Sequence, residues 1–217
     1  MKNFKRTMQL VAVFLFIGAI QLSAQTYKYQ KIVGFTDATN AKLEAFLQST
    51  ISMNIRKVAV FDCDGTLFGQ VPYYLAEEAL YEYARRNYAG KKDAKSVEKF
   101  KLVDKMIKED AISRERDRIK FLSGLTPEEV QRIGDDCFHE KYQNKFYPQM
   151  KALLANLRNY GFETWVISAS PELLYQRFCV EELGFQEDRV IGVKSLVTMS
   201  GVVTDQIVFP SPQDEGK

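Results

Sequence analysis

The chain has 217 residues, enough for one medium domain or for a domain that carries an inserted one. Hydrophobic residues make up 46% and charged residues 27%, which is ordinary for a globular protein. The 30 basic and 28 acidic residues give a formal net charge of +2. This near balance argues against nucleic acid or another polyanion as a partner, so any basic site must be local.

The three cysteines suggest neither a metal site nor a reactive thiol. Cys63, Cys137 and Cys179 lie far apart and form no C-x-x-C pair, which argues against a zinc cluster. Because the count is odd, at least one thiol is free or pairs outside the chain, and one internal disulfide stays open. Cys63 lies between Asp62 and Asp64, whose charges would raise its pKa, so we interpret it as a small filler residue.

Residues 1–24 have the pattern of a signal peptide. Three basic residues among the first six precede an apolar run from Met8 to Ile20, and small residues at 22–24 precede a cleavage site. The apolar run is shorter than the roughly 20 residues that a membrane-spanning helix needs. We therefore expect cleavage and export to a bacterial periplasm or to the medium, with no membrane association afterwards. An uncleaved anchor is the alternative.

The first strand ends in two acids. A helix that begins at Asp37 or Thr39 and continues to Ser49 is predicted to precede it. The apolar run Val58–Phe61 is too short for a helix and rich in strand formers, which predicts a fully buried strand of a parallel sheet. Asp62 follows this strand directly, and Asp64 comes two residues later. A plain strand that ends in an Asp-Gly turn is the alternative.

Residues 69–147 are predicted to form an inserted helical module. The segment 91–120 carries dense charge of both signs, with apolar residues at helical spacing, which predicts a solvated helix with one buried stripe. Thr126 and Pro127 have the pattern of a helix N-cap and first helical position. The helix that they start is predicted to end near Tyr142.

The remaining elements alternate between helix and strand. The predicted order is a helix from Pro148 to Gly161, a strand 162–167 that ends on Ser168, a helix capped by residues 170–172 and continuing to Leu183, a strand 189–193, and a pair of short strands within 194–208. With right-handed crossovers, this order predicts an α/β fold with a doubly wound parallel sheet. Asp62 and Ser168 then lie at the same edge of the sheet.

These groups suit phosphoryl transfer. Asp62 can attack phosphorus and form an aspartyl-phosphate, while Asp64 can protonate the leaving alkoxide and then activate water. Amides of the turn at 63–65 and the hydroxyl of Ser168 can bind phosphoryl oxygens. A hard cation, most simply Mg²⁺, would neutralise Asp62 against the substrate dianion through carboxylate and carbonyl oxygens.

Three segments resemble motifs of the haloacid dehalogenase (HAD) superfamily. The segment 62–67, Asp-Cys-Asp-Gly-Thr-Leu, resembles the first motif of its phosphatase branch, and 166–172 resembles the second motif, with Ser168 at the phosphate-binding position. The segment 201–217 resembles the stretch leading to the third motif, with Lys217 as its phosphate-binding lysine. The most similar subgroup is the phosphoserine-phosphatase-like one, in its secreted bacterial form.

The resemblance implies an HAD-like Rossmannoid core at 25–68 and 148–217, with a helical cap at 69–147. It implies Asp62 as nucleophile, Asp64 as acid/base, and both as ligands of Mg²⁺. The phosphate-binding residues implied with them are Gly65, Thr66, Ser168 and Lys217. The function implied is a Mg²⁺-dependent phosphomonoester hydrolase for a small phosphorylated metabolite, whose identity the cap would determine.

The acidic fourth motif and the last two core strands of the superfamily have no counterpart before Lys217. We therefore expect the chain to be a fragment of a longer enzyme, with a truncated and inactive relative as the other interpretation. A catalytically incomplete protein that binds a phospholigand or a partner is the alternative function. Phosphotransfer to an acceptor alcohol also stays open.

Overall fold

The computed structural model describes residues 27–208 except residue 71, and at positions 111 and 112 only the backbone. The predicted signal peptide and Lys217 lie outside the described residues. The helices are α1 (Asp37–Ser49), α2 (Leu75–Asn87), α3 (Ala94–Met106), α4 (Ala111–Leu122), α5 (Pro127–Cys137), α6 (Pro148–Asn159) and α7 (Leu173–Glu181). The strands are β1 (Val58–Phe61), β2 (Glu163–Pro171), β3 (Val190–Val193), β4 (Ser195–Val197) and β5 (Val203–Ile207).

The sheet is parallel, as the alternation of helices and strands predicts. Its strand order is β1-β2-β3, and Phe61 of β1 pairs with Val166 of β2. The short strands β4 and β5 form a separate antiparallel hairpin, which matches the strand pair predicted within 194–208. The α/β fold class is therefore confirmed.

Strand β1 is only partly buried, so the prediction of a fully buried strand is wrong. Val58 and Val60 are 41% and 55% exposed, whereas Phe61 is buried. Side chains alternate between the two faces of a strand. Val58 and Val60 therefore lie on one face, which is open to solvent. Within the described residues β1 pairs only with β2, so one edge of the strand has no partner strand there.

The charged segment 91–120 forms two helices, α3 and α4, instead of the single solvated helix predicted. Several of its charged side chains are buried: Lys99, Glu115, Asp117 and Arg118. The ammonium of Lys99 donates to the carbonyl oxygens of Lys120, Phe121 and Ser123. These carbonyls lie at the C-terminal end of α4, where helix carbonyls need donors and a positive charge is favoured.

Helix α5 begins as its sequence predicts. The Thr126 side chain accepts a hydrogen bond from the Glu129 amide, and the Glu129 carboxylate accepts one from the Thr126 amide. This reciprocal pair is a capping box. The predicted single helix to Tyr142 changes character after Cys137, because residues Phe138–Tyr142 form a π-helical turn.

Helices α2–α5 lie within the predicted cap and are called the cap helices below; they pack closely against the sheet layer. Helix α5 crosses α7 at Gly134, where a Cβ atom would lie 1.8 Å from the carbonyl oxygen of Leu174. Beside this crossing, the rings of Phe138 and Phe178 stack with centroids 4.4 Å apart and an interplanar angle of 4°. Within the described residues, no helix is both long and apolar enough to cross a membrane.

The connection from β2 to α7 differs from the predicted cap at residues 170–172. Strand β2 continues to Pro171, and α7 begins at Leu173 and ends at Glu181. The pairing of β2 with β3 shifts register between Ile167 and Pro171. This irregularity lies where Ser168 and Ser170 leave the regular ladder, and α7 starts directly behind them.

Candidate active site

Asp62 follows the last residue of β1 and is half-buried. Residues Phe61 and Val166 are paired neighbours in adjacent parallel strands, whose backbones lie about 5 Å apart. Asp62 and Ser168 come one and two residues after this pair, respectively. The sheet therefore brings Asp62 and Ser168 to the same edge, as the sequence predicts.

Asp64 is buried, and both of its carboxylate oxygens accept hydrogen bonds. The Leu75 amide, at the first residue of α2, donates to Oδ1 over 3.0 Å. The Tyr175 hydroxyl on α7 donates to Oδ2 over 2.6 Å. Burial raises the pKa of the Asp64 carboxyl, while these two hydrogen bonds and the charge of Arg118 oppose that shift. A carboxyl group that holds its proton to higher pH suits a general acid.

The loop after Asp62 is a tight turn that depends on Gly65. Gly65 has φ of +74°, a conformation that a residue with a side chain rarely adopts. Its amide donates to Phe68 O over 2.7 Å, and the Thr66 amide donates to Cys63 O over 3.3 Å. Both amides are thus bonded within the turn, and a phosphate contact from either residue would use another atom or a rearranged loop. Their phosphate-binding role stays a prediction.

Ser168 is buried at the end of the regular part of β2. Its hydroxyl accepts a hydrogen bond from the Ser170 amide over 3.2 Å. This bond holds the oxygen at the strand end and leaves its own proton to be donated elsewhere. The position is consistent with the predicted role of Ser168 as a donor to a phosphoryl group.

A buried charged cluster on the cap helices adjoins the Ser170 side chain. Arg118 pairs with Glu77 over 3.2 Å and with Glu115 over 2.8 Å, and its Nη1 lies 3.5 Å from Ser170 Oγ. Arg114 makes a second ion pair with Glu77. Burial raises the pKa of Glu115 to about 7, against the opposing effect of Arg118.

Sequence reasoning missed this cluster and the role of Tyr175. Arg114 and Arg118 lie four residues apart on α4, which places them on one face of the helix, and that spacing was the available signal. Nothing in the sequence indicated that this face turns inward. Tyr175 carries no motif that would link it to Asp64, from which it is separated by 111 positions.

Cys63 packs against α7 within the loop 62–68, called the acidic loop below. It is fully buried, and its sulfur lies 4.0 Å from that of Cys179, which is also fully buried. Burial is the main cause that raises the pKa of the Cys63 thiol, and the neighbouring carboxylates Asp62 and Asp64 add to it. Among the residues described, the cysteines are free thiols. The structure therefore agrees with Cys63 as a filler residue.

The donors at this edge suit Mg²⁺ by type but make up only part of a site. Mg²⁺ prefers oxygen ligands, and the half-buried carboxylate of Asp62 is one. Asp64 already accepts a hydrogen bond at each carboxylate oxygen. Over the described part of the chain, no three His, Cys, Asp or Glu side chains cluster as a metal site. The ligand roles of Asp62 and Asp64 stay predictions.

The sequence matches a known family over most of its length. A model of the haloacid dehalogenase-like hydrolases matches residues 59–217. The chain belongs to this family. The match begins in β1 of this haloacid dehalogenase-like hydrolase and includes Asp62, Asp64 and Ser168. No curated protein sequence matches the chain.

Solved structures share the fold at low sequence identity. A functionally unknown protein from Anaerococcus prevotii matches with TM-score 0.59 and 12% identity, over 84% of this chain and 74% of its own. A protein of unknown function from Bordetella pertussis matches with TM-score 0.55 and 17% identity, over 73% of this chain and 69% of its own. A phosphoserine phosphohydrolase-like protein from Francisella tularensis matches with TM-score 0.44 and 17% identity over 72% of this chain, which spans 66% of that protein's length.

Proposed function

We propose that this haloacid dehalogenase-like hydrolase cleaves phosphomonoesters of small metabolites through an aspartyl-phosphate on Asp62. The observation that carries the proposal is the different placement of two acids on one turn. Asp62 lies half-buried at the strand end next to Ser168, while Asp64 is buried and held by hydrogen bonds at both oxygens. These different surroundings support assigning the first acid as the nucleophile and the second as the proton donor.

The proposed reaction has two steps. In the first, an Asp62 oxygen bonds to phosphorus, the ester P–O bond breaks, and Asp64 gives its proton to the departing alkoxide. In the second, water bonds to phosphorus, Asp64 takes a proton from that water, and the bond to Asp62 breaks to release phosphate. The Ser168 hydroxyl donates to a phosphoryl oxygen in both steps.

Mg²⁺ and export are parts of the same proposal. Mg²⁺, when bound, would reduce the repulsion between Asp62 and the substrate dianion, with Asp62 and Asp64 as its proposed ligands. Lys217 is proposed to complete phosphate binding. The pattern at residues 1–24 supports export to a bacterial periplasm or to the medium, and residues 69–147 are proposed as the cap that selects the substrate.

The test compares Asp62→Asn with the unchanged protein in phosphate release from phosphomonoesters. We expect the unchanged protein to need Mg²⁺ and to stop with excess chelator, and we expect Asp62→Asn to lose at least about 10³-fold in kcat because a carboxamide is a poor nucleophile. Asp37→Asn is the matched control, since Asp37 is an exposed acid of α1 paired with Lys31. Its activity should equal that of the unchanged protein.

Three results would each contradict a part of this proposal. Turnover by Asp62→Asn equal to that of the unchanged protein would remove the nucleophile from the mechanism. Binding of a phosphate analogue such as vanadate, without any turnover, would support the alternative of a phospholigand-binding protein. Transfer to an added alcohol, detected as a new phosphate ester, would make the protein a phosphotransferase.

A further inference from the structure

Tyr175 of α7 forms hydrogen bonds both to Asp64 and to the first turn of α2. Its side chain is fully buried in the first turns of α7. The hydroxyl donates to Asp64 Oδ2 over 2.6 Å and accepts a hydrogen bond from the Ala76 amide over 3.2 Å. The Leu75 amide donates to Asp64 Oδ1. Two consecutive amides at the start of α2 therefore bind the Asp64 carboxylate and the Tyr175 hydroxyl, respectively.

This arrangement fixes the Asp64 carboxyl group in two directions. One oxygen is tied to a cap helix, and the other is tied to a helix of the core. A carboxyl group held at a single oxygen can still rotate about its Cβ–Cγ bond, whereas one held at both cannot. A general acid must lie within about 3 Å of the oxygen that it protonates, and a displacement of about 1 Å can lower the rate about 100-fold.

We propose that the Tyr175 hydroxyl is the positioning group that aims Asp64 at the leaving-group oxygen once the cap helix α2 is docked. This inference rests on the proposed function. Tyr175 contacts Asp64 and α2, so it acts through Asp64. The hydrogen bond from Ala76 ties its orientation to the position of α2, and acid alignment therefore depends on the docked cap.

The Tyr175→Phe substitution isolates the hydroxyl from the rest of the side chain. The ring of Tyr175 lies against that of Phe178, with centroids 5.7 Å apart, and phenylalanine keeps this contact. Tyr160→Phe is the matched control. Tyr160 is also fully buried, but its hydroxyl accepts from the Gln48 side chain on α1.

The experiment compares two substrates that differ in their need for a proton. The alkoxide leaving group of glycerol 2-phosphate needs protonation, whereas the p-nitrophenolate of p-nitrophenyl phosphate leaves without it. We expect Tyr175→Phe to lower the rate constant kcat/KM, which covers only the steps up to formation of the aspartyl-phosphate, about 10- to 100-fold for glycerol 2-phosphate and about threefold or less for p-nitrophenyl phosphate. Tyr160→Phe should keep the wild-type ratio of the two rates.

The ratio of the two rates separates positioning from folding, because both are measured on the same folded sample. An equal loss on both substrates, or no loss, would overturn the role of Tyr175 while Asp62→Asn still supports the hydrolase. If the unchanged protein hydrolyses neither ester, the proposed function and this inference both fail. Melting temperatures of the two Tyr→Phe variants report any loss of stability separately.

Discussion

At the scale of single residues, two aspartates on one turn have different surroundings. Asp62 leaves the end of β1 toward the sheet edge and stays half-buried, whereas Asp64 turns under the N-terminus of α2 and is buried. The positive end of a helix dipole favours a carboxylate there, and burial disfavours it. The same six-residue motif thus supplies two carboxyl groups of different chemistry, which a nucleophile and an acid require.

The thiols provide a check of the packing around these acids. Cys63 and Cys179 are fully buried, Cys137 is 5% exposed, and burial raises the pKa of Cys137 to about 12. Thiolate is the reactive form, so we predict that the native protein reacts with a thiol reagent such as DTNB much more slowly than the denatured protein does. In denaturant without reductant, three thiols should react, one for each cysteine of the sequence.

A different result would contradict either the free state of the thiols or their burial. A single reactive thiol in denaturant would mean that the adjacent pair Cys63 and Cys179 has formed a disulfide. Fast reaction of the native protein would mean that at least one of these buried thiols becomes accessible without global unfolding. The number of thiols per chain is obtained by dividing the thiol concentration measured in denaturant without reductant by the known protein concentration.

Local pattern was enough to place Asp62 and Ser168 at strand ends and Asp64 on the turn after the first strand, because each strand is an apolar run. It was not enough for Tyr175 and Arg118. Tyr175 reaches Asp64 across 111 positions, and Arg118 reaches Ser170 across 52. Such contacts are determined by how the cap helices dock on the core, which no periodicity within a segment reports. The charge of Arg118 suggested a solvated helix face, because the segment alone does not show which other element covers it.

At the scale of elements, the crossing of α5 and α7 fixes the cap against the core. The crossing is close because Gly134 has no side chain, and the Leu174 carbonyl occupies the space where a Cβ would lie. Close contact of this kind is sensitive to added volume, since packed interiors do not readily adjust. Sequence pattern located α5 correctly through its capping box but did not indicate that its glycine marks a helix crossing.

We predict that Gly134→Ala destabilises the protein. In an open helix, replacing glycine by alanine stabilises by about 1 kcal/mol. Here the new methyl group would lie 1.8 Å from a backbone oxygen, so α5 must shift, at a cost of about 1–3 kcal/mol or more. Denaturant unfolding should therefore show a lower free energy of unfolding, with the opposite sign to that expected from helix propensity.

Gly69→Ala is the control for this substitution. The atom nearest to a Cβ at Gly69 would be Tyr147 Oη, at 3.7 Å, which is an ordinary contact. The stability of this variant should stay within about 0.5 kcal/mol of the unchanged protein. A Gly134→Ala variant that is equally stable or more stable would show that α5 and α7 are not packed as described.

At the scale of the whole molecule, the cap and the core share one aromatic cluster. Phe138 of the cap side stacks on Phe178 of α7, and Phe68 of the acidic loop contacts both rings edge-on. Aromatic pairs of this kind add about 0.5–1.5 kcal/mol beyond the area that they bury. Because the cluster adjoins the loop of Asp62 and Asp64, the packing that docks the cap also supports the site.

We predict that the cap and the core unfold together and that Phe138→Ala destabilises both by about 3–5 kcal/mol, the usual cost of removing a buried phenylalanine. The single tryptophan, Trp165, lies in β2 of the core, so its fluorescence reports the core, while circular dichroism reports mainly the helices. In a denaturant titration both signals should give one midpoint, as a cooperative transition requires.

That shared midpoint should fall in Phe138→Ala. Phe46→Ala, which removes a ring that is 52% exposed, should change it little. In Phe138→Ala, the midpoint seen by circular dichroism could fall while the Trp165 midpoint stays in place. That result would show that the cap unfolds as a separate unit. The link between cap docking and the position of Asp64 would then have to be carried by Tyr175 and Leu75 alone.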